Sequence, residues 1–297
     1  MKRRDLLSTM AMAAAAQAMG GTPATAQQAA STSWPDRSVE AKGCVALVTG
    51  SNRGVGLGFV KVLLERGAKR VYATARSEKY FPELAALDPD RVVPMLLDVN
   101  VAGHREACAA QATDVTWLIN NAAYPGSRVA EERRILSSST LDDCKMVVET
   151  NCWSPAELAR LFTPIILNNG GGAIGNVLSG AAWFCLPEYT AYSISKSAAM
   201  MMTNGLRAEL DRDPILVASI FTGGVDTRAS PASVESGGVS PEEHARQVFD
   251  AMARGETDIF AAGSKRMRDV IFSDPKAFER TRIDRFWEDP LVIRNHT

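Results

Sequence analysis

Val45-Ala46-Leu47-Val48-Thr49-Gly50-Ser51-Asn52-Arg53-Gly54-Val55-Gly56-Leu57-Gly58 passes from an unbroken apolar run directly into glycines. A short run of this kind suits a strand buried on both faces. From Val55 to Glu65 the spacing is helical, with Val60, Leu63 and Leu64 on one side and a stop at Gly67. The glycines between strand and helix let the backbone turn sharply, and the helix start behind them offers unpaired N–H groups to a pyrophosphate. The spacing is GxxxGxG rather than GxGxxG. Taken alone, it also suits a structural turn that holds nothing.

Outward from this turn, strand and helix alternate. Strands are expected at 70–74, 92–97, 115–119, 173–178 and 215–221, with a short last one at 258–261. Helices are expected at 82–87, 102–112, about 140–152, 155–168, about 190–211 and 241–254. Such alternation means a parallel sheet covered on both faces, and right-handed crossovers make it doubly wound. Residues 43–297 therefore read as one Rossmann-like α/β domain. A polar insert, Glu131-Glu132-Arg133-Arg134, interrupts it after the fourth strand, and Thr227 to Ser240 reads as a mobile loop over the crevice.

The second strand ends at Ala75-Arg76. A carboxylate there would take the ribose 2′-hydroxyl of NAD, whereas arginine accommodates the 2′-phosphate of NADP. With Arg53 inside the glycine turn, two cations and no competing acid favour NADP(H) over NAD(H). Tyr192 and Lys196 stand four residues apart, hence on one face of the long helix. A free phenol is a poor acid or base at neutral pH. A nearby ammonium is expected to lower its pKa toward the range useful for catalysis. Ser179 closes the fifth strand, at the sheet edge where ligands of such folds sit.

Together these residues resemble the short-chain dehydrogenase/reductase family over residues 43 to about 265. Thr49 to Gly56 is similar to that family's TGxxxGxG, and Tyr192 with Lys196 to its YxxxK. The resemblance implies a catalytic set of Asn151, Ser179, Tyr192 and Lys196. It also implies cofactor contacts from Gly50, Asn52, Arg53, Gly54, Val55 and Gly56 in the turn, and from Arg76. Asp98 and Val99 would serve the adenine; Asn121, Ala122 and Ala123, like the family's NNAG, would lie by the nicotinamide ribose. Tyr192 and Lys196 would also touch the cofactor, and Gly223, Val225 and Thr227 would line the carboxamide pocket. Two positions depart from the family. Ala123 replaces a glycine and would be strained at a positive φ, and Thr222 replaces the proline of PGxVxT.

The implied activity is hydride transfer between NADP(H) and a carbonyl or alcohol substrate, with Tyr192 as acid and base. Asn151 would position a water for a proton relay. Tyr124, Trp183, Phe184, Leu186 and Phe221 are candidates for an apolar pocket. Two alternatives use the same residues differently: a non-catalytic NADP(H)-binding redox sensor, and an epimerase or dehydratase on the same fold. Pairing into a homodimer or homotetramer is expected through the long helices.

The charge balance of 33 basic and 34 acidic residues gives no field to gather nucleic acid. Cys44, Cys108, Cys144, Cys152 and Cys185 form no CxxC pair, and the histidines no metal-ligand spacing, so no metal is expected. Residues 1–26 join Lys2-Arg3-Arg4 to an alanine-rich stretch and Ala24-Thr25-Ala26, in the plan of a twin-arginine-like export signal too short for stable membrane insertion. The expectation is a periplasmic protein (cytoplasmic if the signal does not function), with 27–42 as linker.

Overall fold

The computed structural model describes residues 37–227 and 238–288. The expected signal, most of the linker and the middle of the 227–240 loop lie outside those residues. The parallel sheet has seven strands in the order β3-β2-β1-β4-β5-β6-β7. They are β1 (Val45–Val48), β2 (Arg70–Ala75), β3 (Val92–Leu96), β4 (Trp117–Asn120), β5 (Gly172–Ser179), β6 (Ile215–Thr222) and β7 (Asp258–Ala261). After β3 the chain returns to the other side of β1, which places the switch point between β1 and β4. Ligands of doubly wound sheets bind beyond the carboxyl strand ends at such a point.

Helices α1 (Gly54–Glu65), α2 (Phe81–Ala85), α3 (Ala102–Gln111), α4 (Asp142–Val148), α5 (Ser154–Asn168), α6 (Thr190–Glu209) and α7 (Pro241–Ala253) cover the sheet. One core layer joins Phe59, Val60 and Leu63 of α1 to Val248, Phe249 and Met252 of α7. The opposite layer joins Leu158, Phe162 and Ile166 of α5 to Leu47, Leu118 and Ile174 of the sheet. Inside that second layer runs a polar chain joined by hydrogen bonds, with Asn120 Oδ1 alone in it lacking a partner among the described residues. Asn120 Nδ2 donates to Asn176 Oδ1 at 2.8 Å, and Asn176 Nδ2 to Thr203 Oγ1 at 3.0 Å. A buried chain of this kind ties β4, β5 and α6 in one register, because any slip would strand its polar groups.

Two features differ from the sequence expectation. The helix expected over 140–152 is α4 followed by a π-helical turn, Glu149–Trp153, that leads into α5. Pro155 has no N–H to give to the Asn151 carbonyl four residues earlier, so the α-helical ladder cannot run through unaltered. The second difference is a pair of unexpected helices, α8 (Ser264–Ser273) and α9 (Pro275–Glu288). Ile271 is the one buried large apolar residue of α8, and α9 has no buried residue. The apolar periodicity that marks the other helices is therefore missing. A capping signal is nonetheless present: Asp274 Oδ1 accepts from Ala277 N at 2.9 Å, ahead of Pro275 in the first helical position.

Candidate active site

The glycine turn is built to bring backbone close to backbone. Gly50 and Gly54 have φ of +67° and +53°, where a side chain would be strained. At Gly56 the constraint is space: a Cβ would lie 2.3 Å from the Gly50 carbonyl oxygen. Arg53 leads into α1 with no side-chain cap, and the first turn carries no acid. The N–H groups there keep their capacity for an anion.

Thr49, not singled out as a site residue, organises the far side. Its Oγ1 accepts from the backbone N–H groups of Asn121 and Ala122, both at 2.8 Å. Asn121 Nδ2 in turn donates to the Thr49 carbonyl at 2.8 Å. Asn121 thus acts by clamping the glycine turn onto the end of β4. Ala123 is exposed and is not among the residues with positive φ, so the methyl that replaces a glycine costs no backbone strain.

Thr222 at the end of β6 pairs with Ser179 in the sheet register. Its Oγ1 meets His244 Nε2 at 3.1 Å, a side-chain tether where proline would stiffen the ring of the chain. His244 is fully buried, which lowers its pKa to about 4 and keeps it neutral. Gly223 is required by close approach, since a Cβ would lie 2.0 Å from the Ala262 carbonyl oxygen. Val225 bridges to Val239, and the Thr227 methyl lies against Gly54. Thr227 therefore closes on the glycine turn from the β6 side, while Gly223 and Val225 pack against Ala262 and Val239.

Arg53 and Arg76 are both exposed, at the turn and at the end of β2. Arg76 is near enough to Tyr124 for its charge to favour that residue's phenolate slightly. Burial and the Asp143 carboxylate prevail and push Tyr124 up to about 12. Asp98 is held after β3 by accepting from Asn100 N at 3.0 Å and donating its own N–H to His104 Nδ1 at 3.1 Å. Val99 beside it is buried.

The four expected catalytic residues converge. Ser179 ends β5, and its hydroxyl accepts from Ala181 N at 3.2 Å and faces Tyr192. Lys196, 3% exposed, donates from Nζ to the Val177 carbonyl at 2.8 Å and lies 5.6 Å from the Tyr192 ring centre. Asn151 sits in the π-helical turn. Its Nδ2 donates to the Tyr124 carbonyl and to Ser195 Oγ, both at 2.9 Å, and its Oδ1 accepts from Tyr124 N at 2.8 Å. Ser195, which sequence reading passed over inside YSISK, thus links the Asn151 amide to α6.

The electrostatics run against one expectation. Burial raises the Tyr192 pKa, opposed by the Ser179 hydroxyl, while burial also lowers Lys196 to about 8. The ammonium was expected to pull the phenol down. Instead both groups are driven toward their neutral forms by the same low-dielectric surroundings.

The pocket candidates separate. Phe221 stacks on Phe260 at 5.4 Å and packs against Trp183 at 4.4 Å, so it is core. Trp183 and Phe184 line a cavity of about 440 Å³ with Thr190, Ser193, Ile194 and Ser197. At about 100° per residue, those residues centre roughly 130° around α6 from Tyr192 and Lys196, so the cavity opens on a neighbouring flank of the helix. Tyr124 does belong to the site, packing with Tyr192 against Cys144, Val147 and Ala191. Its hydroxyl donates to Asp143 Oδ1 at 2.6 Å.

The family model described as short chain dehydrogenase matches residues 44–236, well over half of the chain. The chain belongs to the short-chain dehydrogenase/reductase family. A short-chain dehydrogenase from Burkholderia cenocepacia J2315, solved in complex with NADP, is 34% identical with a TM-score of 0.72; the match covers 82% of this chain and 98% of that one. A family member from Burkholderia phymatum, solved with NAD, shares the fold at 22% identity and a TM-score of 0.68, over 76% and 91% of the two chains. The Drosophila melanogaster dehydrogenase/reductase SDR family protein 7-like is 27% identical over 74% of this chain and 73% of its own. Short-chain dehydrogenases are oxidoreductases, and the expected fold and family are both found. Among the described residues no helix is long and apolar enough to cross a membrane, and no group of side chains is placed to hold a metal.

Proposed function

We propose that the protein transfers a hydride between NADP(H) and a carbonyl or alcohol substrate, with Tyr192 as the proton donor and acceptor. The observation that carries this reading is the meeting of Tyr192, Ser179 and Lys196 at the carboxyl edge of β5, beside the glycine turn. The residues fit a dinucleotide. Gly56 has no room for a side chain, the start of α1 has uncapped N–H groups, and Arg53 and Arg76 offer charge for a 2′-phosphate. The 34%-identical relative solved with NADP supports the same choice.

When bound, the nicotinamide supplies or accepts the hydride. Ser179 orients the substrate oxygen. Tyr192 gives its proton to that oxygen in reduction and takes it back in oxidation. Its raised pKa keeps the phenol protonated at neutral pH, a state suited to reduction. Lys196, near 8, can hold or release a proton close to neutrality. In this reading Asn151 holds a water that leads from Lys196 to solvent, and Pro155 supports the role by denying the Asn151 carbonyl its α-helical donor. The test is titration with NADPH and NADH, followed by a carbonyl panel with wild type and Tyr192→Phe. Tighter NADPH binding, with turnover lost in Tyr192→Phe, is expected. Nucleotide binding without turnover would favour the sensor.

Two further readings belong to this proposal. The basic and alanine-rich start supports export of the folded protein with its cofactor bound; nucleotide-free protein in the periplasmic fraction would sink that idea. The exposed Met146, Trp153, Ile194 and Met201 on α4, the π-helical turn and α6 support a homodimer or homotetramer, which light scattering would test.

A further inference from the structure

The insert Glu131-Glu132-Arg133-Arg134 has no part in the chemistry above, yet it folds against the site. Arg133 stacks its guanidinium on the Tyr189 ring at 4.0 Å, three residues before Tyr192. Its stem passes Gly126 so closely that a Cβ there would lie 3.1 Å from Arg133 Cγ and 3.6 Å from Val147 Cγ2. Val147 belongs to the small cluster that holds Tyr124 and Tyr192. Arg133 and Val147 thus face the same glycine, beside the cluster that holds the proton donor.

Two more arginines lie in the same neighbourhood. Arg134 lies 5.7 Å from the Phe286 ring of α9, and one turn earlier on α9 Arg282 pairs with Glu188 at 3.3 Å. The Nε atoms of Arg133, Arg134 and Arg282 are all buried without a hydrogen-bond partner among the described residues. Buried N–H groups are normally paired, and three orphans in one neighbourhood need an acceptor. The nearby carboxylates are already engaged. Glu131 lies 3.9 Å from Arg134, Glu188 is on Arg282, and Glu132 accepts from Ser139 N and Oγ. Asp143 accepts from Tyr124 Oη and Ser127 N. Arg133 has no ion pair among the described residues, and a planar fork presented on an aromatic face suits a compact oxyanion.

We infer that Arg133, flanked by Arg134 and Arg282, binds an anionic group on the substrate, a carboxylate or a phosphate, at the mouth of the Tyr192 site. This deepens, and rests on, the carbonyl–alcohol reading above. The substrate class becomes a carbonyl compound with an oxyanion on the part remote from the reacting carbon.

The test measures equilibrium binding, so it does not depend on turnover. The full chain with NADPH is titrated with 4-formylbenzoate and with its neutral methyl ester, for wild type, Arg133→Met and Arg133→Lys. The wild type is expected to bind the acid at least ~10-fold more tightly than the ester, the scale of a charge-assisted contact. Arg133→Met should bring that ratio close to one and Arg133→Lys should retain part of it, with thermal melts showing that both variants fold. Competition by benzoate or by phenyl phosphate then names the oxyanion, and competition by neither overturns the inference. Equal binding of acid and ester by the wild type, or a ratio that survives Arg133→Met, also overturns it. NADPH oxidation is recorded in parallel. Acid-selective binding without oxidation would keep the anion site and remove the hydride-transfer reading.

Discussion

Replacing Lys196 by methionine should make the fold more stable at neutral pH while abolishing turnover. The side chain is 3% exposed, and burial lowers its pKa from 10.5 to about 8. Between those two values the unfolded chain binds more protons than the folded one. Wild-type stability therefore rises with pH across that window and carries a penalty below it. At about pH 7 the penalty amounts to roughly 3 kcal/mol, and by about pH 9.5 it shrinks to roughly 1.5 kcal/mol. Methionine removes it at every pH. It also forfeits the bond from Nζ to the Val177 carbonyl at 2.8 Å, a loss of about 1–2 kcal/mol that depends less on pH. The informative quantity is therefore the stability difference between variant and wild type, measured by urea denaturation at the two pH values. It should fall by roughly 2 kcal/mol from the lower pH to the higher, equivalent to ~4–8 °C in melting temperature for a domain of this size. A gap that ignores pH, or one that widens as pH rises, would refute the view that the fold holds Lys196 against its own solvation.

His244 should make the fold acid-sensitive. Its pKa is lowered by burial from 6.5 to about 4, so stability is complete above 6.5 and declines as pH falls toward 4. Melting curves of His244→Gln should lose that slope. Gly56→Ala would bring a Cβ to 2.3 Å from the Gly50 carbonyl oxygen; calorimetric titration should show nucleotide binding lost, with at most ~3 kcal/mol lost from the fold. Arg76→Glu should weaken NADPH by roughly tenfold or more and leave NADH little changed, read from nicotinamide fluorescence. Equal weakening of both nucleotides would place Arg76 outside the 2′-phosphate site.

Elements whose apolar faces are covered were readable from the sequence. β1 and β6 are almost wholly buried and read as apolar runs, broken inside β6 only by Ser219, and α1, α5 and α7 carry the stripes that pack on the sheet. α8 and α9 bury almost nothing, so no stripe announces them, and only Asp274-Pro275 marks a start. The Tyr192–Lys196 spacing was informative because four residues on a helix fix a shared face. The direction of their pKa shifts was not legible, because desolvation depends on every neighbour the fold brings in. Phe221 shows the same limit. Its position at the end of β6 suits a pocket wall equally well, and only the ring of Phe260 stacked on it decides for the core. Ala123 is the opposite case: motif comparison raised a strain that the actual φ removes.

The attachment of α9 has a consequence for how the protein fails when warmed. The helix holds no buried residue and meets the body through Phe184–Phe278, Arg282–Glu188 and Arg134–Phe286. A few part-buried contacts of this kind contribute little free energy beside the sheet and its two helical layers, which melt as one cooperative unit. Amide protons of 275–288 should therefore exchange through a local opening far below the global unfolding free energy. Heat would detach this helix from the 131–134 and 184–189 segments while the dinucleotide-binding body remained intact. Selectivity for substrates would then decay at a lower temperature than the capacity to hold a nucleotide, giving the enzyme two separate thermal limits.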